Sequence, residues 1–199
     1  MIEFTFDTSE IEHELARIAH VPYAIEKALF PVVSEVVEAA RTDLSRRLSK
    51  MVALDPKVIK RSVKMSRPLV VENGVRAWIN VSSKPIRLIE YDVQPRDVTA
   101  RRGVASRHWP GFSYALRHGK RMLSESLMEE SLPFITAIPR TGHLGVFRRY
   151  SKGISEVYGP KLQYHAAAPQ IEERVIRGAE LHFRELLPRI VSLIAEGAL

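Results

Sequence analysis

Cysteine is absent from this chain. That removes disulfides, thiolate nucleophiles and cysteine-based zinc sites together, and it fits a reducing compartment. No uninterrupted apolar run approaches the roughly 18 residues of a membrane-crossing helix, so none is expected. The N-terminus, MIEFTFDTSEIEHEL, is acidic and polar. It lacks the basic start and apolar run of a signal peptide, and the expectation is a soluble protein made in a cytoplasm. Glycine (10 residues) and proline (12 residues) occur at ordinary levels, so wholesale disorder is not expected either.

Recognisable catalytic constellations are also missing. The histidines are His13, His20, His108, His118, His143, His165 and His182, and none forms an HxH or HExxH pair. His13 and His20 lie two helical turns apart, too far to share one zinc ion. Gly119-Lys120 is not a phosphate-binding loop, because no Ser or Thr follows it and Tyr114 stands where the first glycine belongs. There is no GxGxxG and no GxSxG. The carboxylates of Glu129-Glu130 and Glu172-Glu173 are adjacent pairs, which point apart in any regular element and make a poor start for paired acid–base work. The reading is non-catalytic, with no metal and no cofactor.

What is present is charge, unevenly placed. The net charge is +7. Residues 1–40 hold two basic and eight acidic residues, net −6, whereas residues 41–67 hold nine basic and two acidic, net +7. Residues 84–121 hold nine basic and three acidic, net +6, and residues 122–199 balance at nine each. Such banding suits a polyanion, or head-to-tail contact between copies, and is equally the pattern of plain solvated faces.

The length, 199 residues, suggests a single domain over 1–199, with 84–131 as a protruding arm or long loop, and a hydrophobic content of 45% suffices for a core. Residues 9–19 read as a short helix capped by Ser9. From Tyr23 to about Val52 a continuous apolar stripe (Leu29, Val32, Val33, Val36, Val37, Ala40, Leu44, Leu48) reads as a long helix, with Pro31 as an expected kink. Asp55-Pro56 reads as a cap and first position of a short basic helix. Leu69–Val71 and Val75–Val81, around Glu72-Asn73-Gly74, read as a hairpin. Arg87–Tyr91 reads as a strand, Pro95–Trp109 as a long basic loop or extended hairpin, and 122–131 as weakly structured. Leu132–Ile138 and Leu144–Tyr150 read as strands around a Thr141-Gly142-His143 turn, and about Gln170–Ala195 as a last helix with a second kink at Pro188. The order predicts an α+β fold: antiparallel β-sheet against a long N-terminal helix and a C-terminal helix, with an extended basic loop or hairpin.

The basic segments mix cations with aromatics: Arg101-Arg102, then Arg107-His108-Trp109, Phe112, Tyr114, Arg117-His118-Gly119-Lys120-Arg121. Single-stranded nucleic-acid surfaces use that mixture, and protein interfaces favour it too.

One segment carries a family likeness. Phe134-Ile135, then Gly142-His143-Leu144-Gly145-Val146-Phe147-Arg148-Arg149, then Ile154-Ser155-Glu156-Val157-Tyr158-Gly159-Pro160, resembles the prophage minor tail protein Z family, whose members carry a Phe-Ile pair, a "GHxGVFxR" segment and "PIxELYGPS". Gly153 stands here for the family's usual Pro, and Lys161 for its usual Ser. The basic stretch Arg46-Arg47-Leu48-Ser49-Lys50 followed by Val58-Ile59-Lys60-Arg61 and the last helix also look like that family, whereas 84–131 matches poorly. The resemblance implies a structural virion protein of the tail-completion or neck type, located in the tail or neck. It would cap the tail tube and join tail to head as part of a ring, often hexameric, with itself, the tail tube and head–neck proteins as partners and possible non-specific contact with genomic DNA. The alternative is a free, non-catalytic nucleic-acid-binding protein using 41–67 and 96–121. The residues expected at a subunit interface or DNA channel are Arg101, Arg102, Trp109, Phe147, Arg148 and Arg149. Within the strand Val146 and Phe147 should lie on opposite faces, as should Arg148 and Arg149.

Overall fold

A computed structural model describes residues 1–7, 12–20, 23–71, 74–94, 112–123, 133–138, 141–151 and 153–196. In chain order the elements are β1 (Ile2–Asp7), α1 (Glu12–Ala16), α2 (Ala24–Met51), α3 (Pro56–Ser62), β2 (Val63–Met65), β3 (Leu69–Val71), β4 (Gly74–Val81), β5 (Asp92–Gln94), β6 (Ser113–Arg117), β7 (Lys120–Leu123), β8 (Phe134–Ala137), β9 (Leu144–Tyr150), β10 (Gly153–Glu156), α4 (Leu162–Ala166) and α5 (Pro169–Ala195). A 3-10 turn, Leu88–Glu90, precedes β5. The fold is α+β, and among the described residues its strands divide among three antiparallel sheets. Two compact units emerge: Met1–Arg47 with Arg61–Ser82 and His165–Leu199, and Leu48–Lys60 with Ser83–Tyr164.

In the first unit β4 is the central strand. Its residues alternate, with Val75, Ala77, Ile79 and Val81 buried and Arg76 and Asn80 exposed, as a half-buried antiparallel strand requires. β1 pairs along one edge, Ile2 opposite Ile79 through Asp7 opposite Gly74. This strand was not expected, yet Ile2, Phe4 and Phe6 are all buried at period two. The other edge is shared by β2 and β3. Between them Ser66 bridges the gap in the ladder: its N–H donates to the Trp78 carbonyl at 2.8 Å, and Trp78 N–H donates to Ser66 Oγ at 2.9 Å. Gly74 sits in the strand opposite Val71, and residues 72–73 of the expected hairpin turn lie outside the described residues.

The long helix forms as its stripe predicts. Ala28, Leu29, Val32, Val33, Val36, Val37, Ala40 and Leu44 are buried. Full burial of each Val or Leu is worth about 1.5–3 kcal/mol, so this face, not intrinsic propensity, holds the helix in place. The helix runs through Pro31, whose side chain is exposed. Its polar flank is laced by Arg41–Glu38 and by Asp43, which pairs with Arg46 at 2.7 Å and Arg47 at 2.5 Å. α5 begins with Pro169 at its first position, where a missing N–H costs nothing. It buries Ile171, Val175, Ala179, Phe183, Leu187, Val191 and Ile194, and Phe183 stacks on Phe6 with centroids 4.5 Å apart. Of the helix expected at 9–19, α1 covers Glu12–Ala16, and the proposed cap, Ser9, lies outside the described residues.

The second unit holds α3 and two three-stranded sheets, ordered β5-β6-β7 and β10-β9-β8. Asp55 caps α3: its Oδ1 accepts the Lys57 N–H at 2.8 Å, and Pro56 fills the first helical position. The expected strand at Arg87–Tyr91 is a 3-10 turn instead. Leu88 and Tyr91 are both fully buried, and a spacing of three puts them on one side of a 3-10 turn but on opposite sides of a strand. The region expected as an arm or loop contains β5, β6 and β7; residues 95–111 and 124–131 lie outside the described residues.

Candidate functional site

The family-like segment forms β9, the turn before it, and β10. The turn is closed by Gly142 N–H donating to the Ile138 carbonyl and Ile138 N–H donating to the His143 carbonyl, each at 2.8 Å. Gly142 has φ +66°, in the left-handed region that favours glycine. β9 then pairs with β8, Phe134 opposite Phe147, and with β10, Glu156 opposite Phe147 and Ile154 opposite Arg149.

This register sorts the side chains by face. Phe134, Gly145, Phe147, Arg149, Ile154 and Glu156 share one face; Ile135, Val146 and Arg148 share the other. Val146 and Phe147 therefore lie on opposite faces, and so do Arg148 and Arg149. Phe147 is 4% exposed and Arg148 9%, so neither is an open surface residue of the isolated chain. Arg149 is exposed, with its guanidinium 5.7 Å from the Phe134 ring centroid, and Ile154 is 52% exposed beside it. Of the three expected interface residues that are described, Arg149 is exposed and Phe147 and Arg148 are packed inward. Arg101, Arg102 and Trp109 lie outside the described residues.

A polar ladder crosses the same face. Arg87 Nη1 lies 3.2 Å from His143 Nδ1, and His143 Nε2 lies 2.9 Å from Glu156 Oε1. A guanidinium only donates, so Nδ1 is the acceptor and Nε2 carries the proton that goes to Glu156. Tyr158 Oη donates to Glu156 Oε2 at 3.3 Å, and Arg87 also pairs with Glu90. The Glu156 carboxylate, with burial added, holds the Tyr158 phenol above its ordinary range, while Arg87 pulls the other way. The ladder fits only because residue 145 is glycine: a Cβ there would sit 2.7 Å from Glu156 Oε1 and 2.9 Å from Phe147 Cε2.

The closing Gly-Pro has a second anchor. Tyr91 is fully buried and donates its hydroxyl to the Pro160 carbonyl at 2.8 Å. Gly159 lies against its ring, where a Cβ would meet Cε2 at 2.5 Å. Burial pushes the Tyr91 phenol up to about 12. Arg87, Glu90 and Tyr91 were not anticipated, since nothing in the sequence announces that a turn at 87–91 meets a hairpin more than fifty residues on. Chemically the arrangement is a braced sheet face: fixed ion pairs around packed phenylalanines, with Arg149 and Ile154 outward. No protein-family model, curated protein or solved structure matches this chain.

Proposed function

We propose that the chain is a structural virion protein of the tail-completion or neck type, which caps the tail tube and joins tail to head as one member of a ring, hexameric in the form the resemblance implies. The observation that carries this reading is the family-like segment 142–160. Its motif residues His143, Gly145, Phe147, Glu156 and Tyr158 converge on one braced sheet face, with Arg149 and Ile154 left exposed for a neighbour. The charge banding supports it. An acidic band at 1–40 on one copy facing a basic band on the next makes a heterologous contact that closes by rotation.

Mixing the purified protein with tail tubes of the phage that encodes it, followed by negative-stain imaging, tests the reading. Ring-shaped density at one end of each tube is expected. Tubes with bare ends at saturating protein would contradict it.

A further inference from the structure

The two basic bands of the sequence meet in the second unit. Ala53 N–H donates to the Leu116 carbonyl at 3.1 Å, Val52 bridges Arg117, and His118 Nε2 donates to the Ser49 carbonyl at 2.9 Å. The end of α2 is thereby tied to the β6–β7 hairpin, and Lys50 and Arg117 flank the seam in sequence. Beside it lies an open cavity of about 280 Å³, bounded by Ala53, Asp92, His118, Gly119, Lys120 and Arg121.

The cavity's cations differ in role. Arg121 is held in place, donating to Ser113 Oγ at 2.9 Å and pairing with Asp92, which neutralises the one carboxylate on the wall. Lys120 is exposed and, among the described residues, has no ion-pair partner. Gly119, at φ +75°, makes the tight turn, and no heavy atom lies within 4 Å of where its Cβ would be, so the mouth stays open. One fixed guanidinium and one exposed ammonium around a small open hollow form a site for a phosphate-sized anion.

We infer that this hollow seats a backbone phosphate of nucleic acid, with Lys120 as the point charge and Arg121 as the oriented donor. Lys50, next to Ser49 in sequence, and Arg117, bridged by its backbone to Val52, are exposed cations along the same seam, and such a run favours an extended polyanion over a lone phosphate. Contacts to phosphate alone carry no base information, so this binding is expected to be independent of sequence. The inference stands on the geometry of the second unit and does not depend on ring formation.

The test measures fluorescence anisotropy of a short labelled DNA duplex and of the matching single strand, titrated with the full chain at several salt concentrations. Lys120→Ala should weaken binding roughly tenfold at low salt and lower the slope of log K against log salt by about one, as loss of one phosphate contact requires. Lys120→Arg should retain most of the affinity. Arg174→Ala, an exposed cation on α5, is the control and should bind like the parent. All four proteins should share one unfolding midpoint, since both side chains are exposed. Absence of binding by the parent to either DNA, or equal losses from Lys120→Ala and Arg174→Ala, would overturn the inference. Light scattering on the same samples reports assembly separately.

Discussion

Gly145 lies beneath the Glu156 carboxylate, so close that a Cβ would sit 2.7 Å from Oε1. The same Cβ would stand 2.9 Å from the ring of Phe147, which is buried and has little room to turn. Glu156 can swing away, but only by releasing His143. Gly145→Ala should therefore cost about 1–3 kcal/mol by overpacking and should loosen the hairpin tip. Urea unfolding measures the first effect, and amide exchange at 142–145 the second. A variant as stable as the parent would mean that the ladder does not depend on this glycine.

Tyr91 gives the protein an alkaline limit. Its phenol is neutral in the fold up to about 12 because it is buried, whereas an unfolded tyrosine ionises near 10. Below about pH 10 the neutral phenol's contribution is fully present; between about 10 and about 12 the unfolded chain loses its proton first and stability falls. At about 1.4 kcal/mol per pKa unit the loss approaches 3 kcal/mol. Tyr91→Phe keeps the ring and removes the titration. It should be less stable at neutral pH by about 1 kcal/mol, for the lost bond to Pro160, and should show a shallower decline above pH 10. Unfolding midpoints of the two proteins across that range decide it, and parallel curves would exclude Tyr91 as the cause.

Phe147 and Arg149 should separate folding from assembly. Phe147→Asp puts a carboxylate at a position 4% exposed, between Phe134 and His143, and should prevent folding. Arg149→Ala removes a cation–π contact with Phe134 worth roughly 0.5–1 kcal/mol and should leave the circular dichroism spectrum unchanged while weakening association between copies. Soluble, fully assembling Phe147→Asp protein would refute the packing argument, and unimpaired assembly of Arg149→Ala would remove this residue from the interface.

Asp55 should matter modestly. Asp55→Ala deletes the acceptor for the Lys57 N–H and should destabilise by about 1 kcal/mol, read from thermal unfolding. Asp55→Asn should restore most of that loss.

The helices and the family-like strands were legible because their signals are local and strong. About eight turns of apolar spacing do not admit another reading, and α5 begins and ends within a residue of its expected bounds. The Asp55-Pro56 start followed from cap chemistry alone. Losses came where charge masked period. Ile2, Phe4 and Phe6 alternate cleanly, but Glu3 and Asp7 made the N-terminus read simply as acidic and polar. β6 and β7 were hidden among Arg117, Lys120 and Arg121. Leu88 and Tyr91 looked like a strand because apolar density was weighed without its spacing of three. For the site, the motif named His143, Phe147 and Glu156, but the closure of the ladder by Arg87 is a tertiary contact between distant segments, and no local pattern encodes it. The seam between the two basic bands was hidden for the same reason.

The most direct test of the tail-completion reading is the mass of the purified protein by light scattering, with and without tail tubes of its phage, at two salt concentrations. A rise to the mass of a closed ring on adding tubes, weakened by salt, is the expected result. A monomer that ignores the tubes at both salts would contradict it.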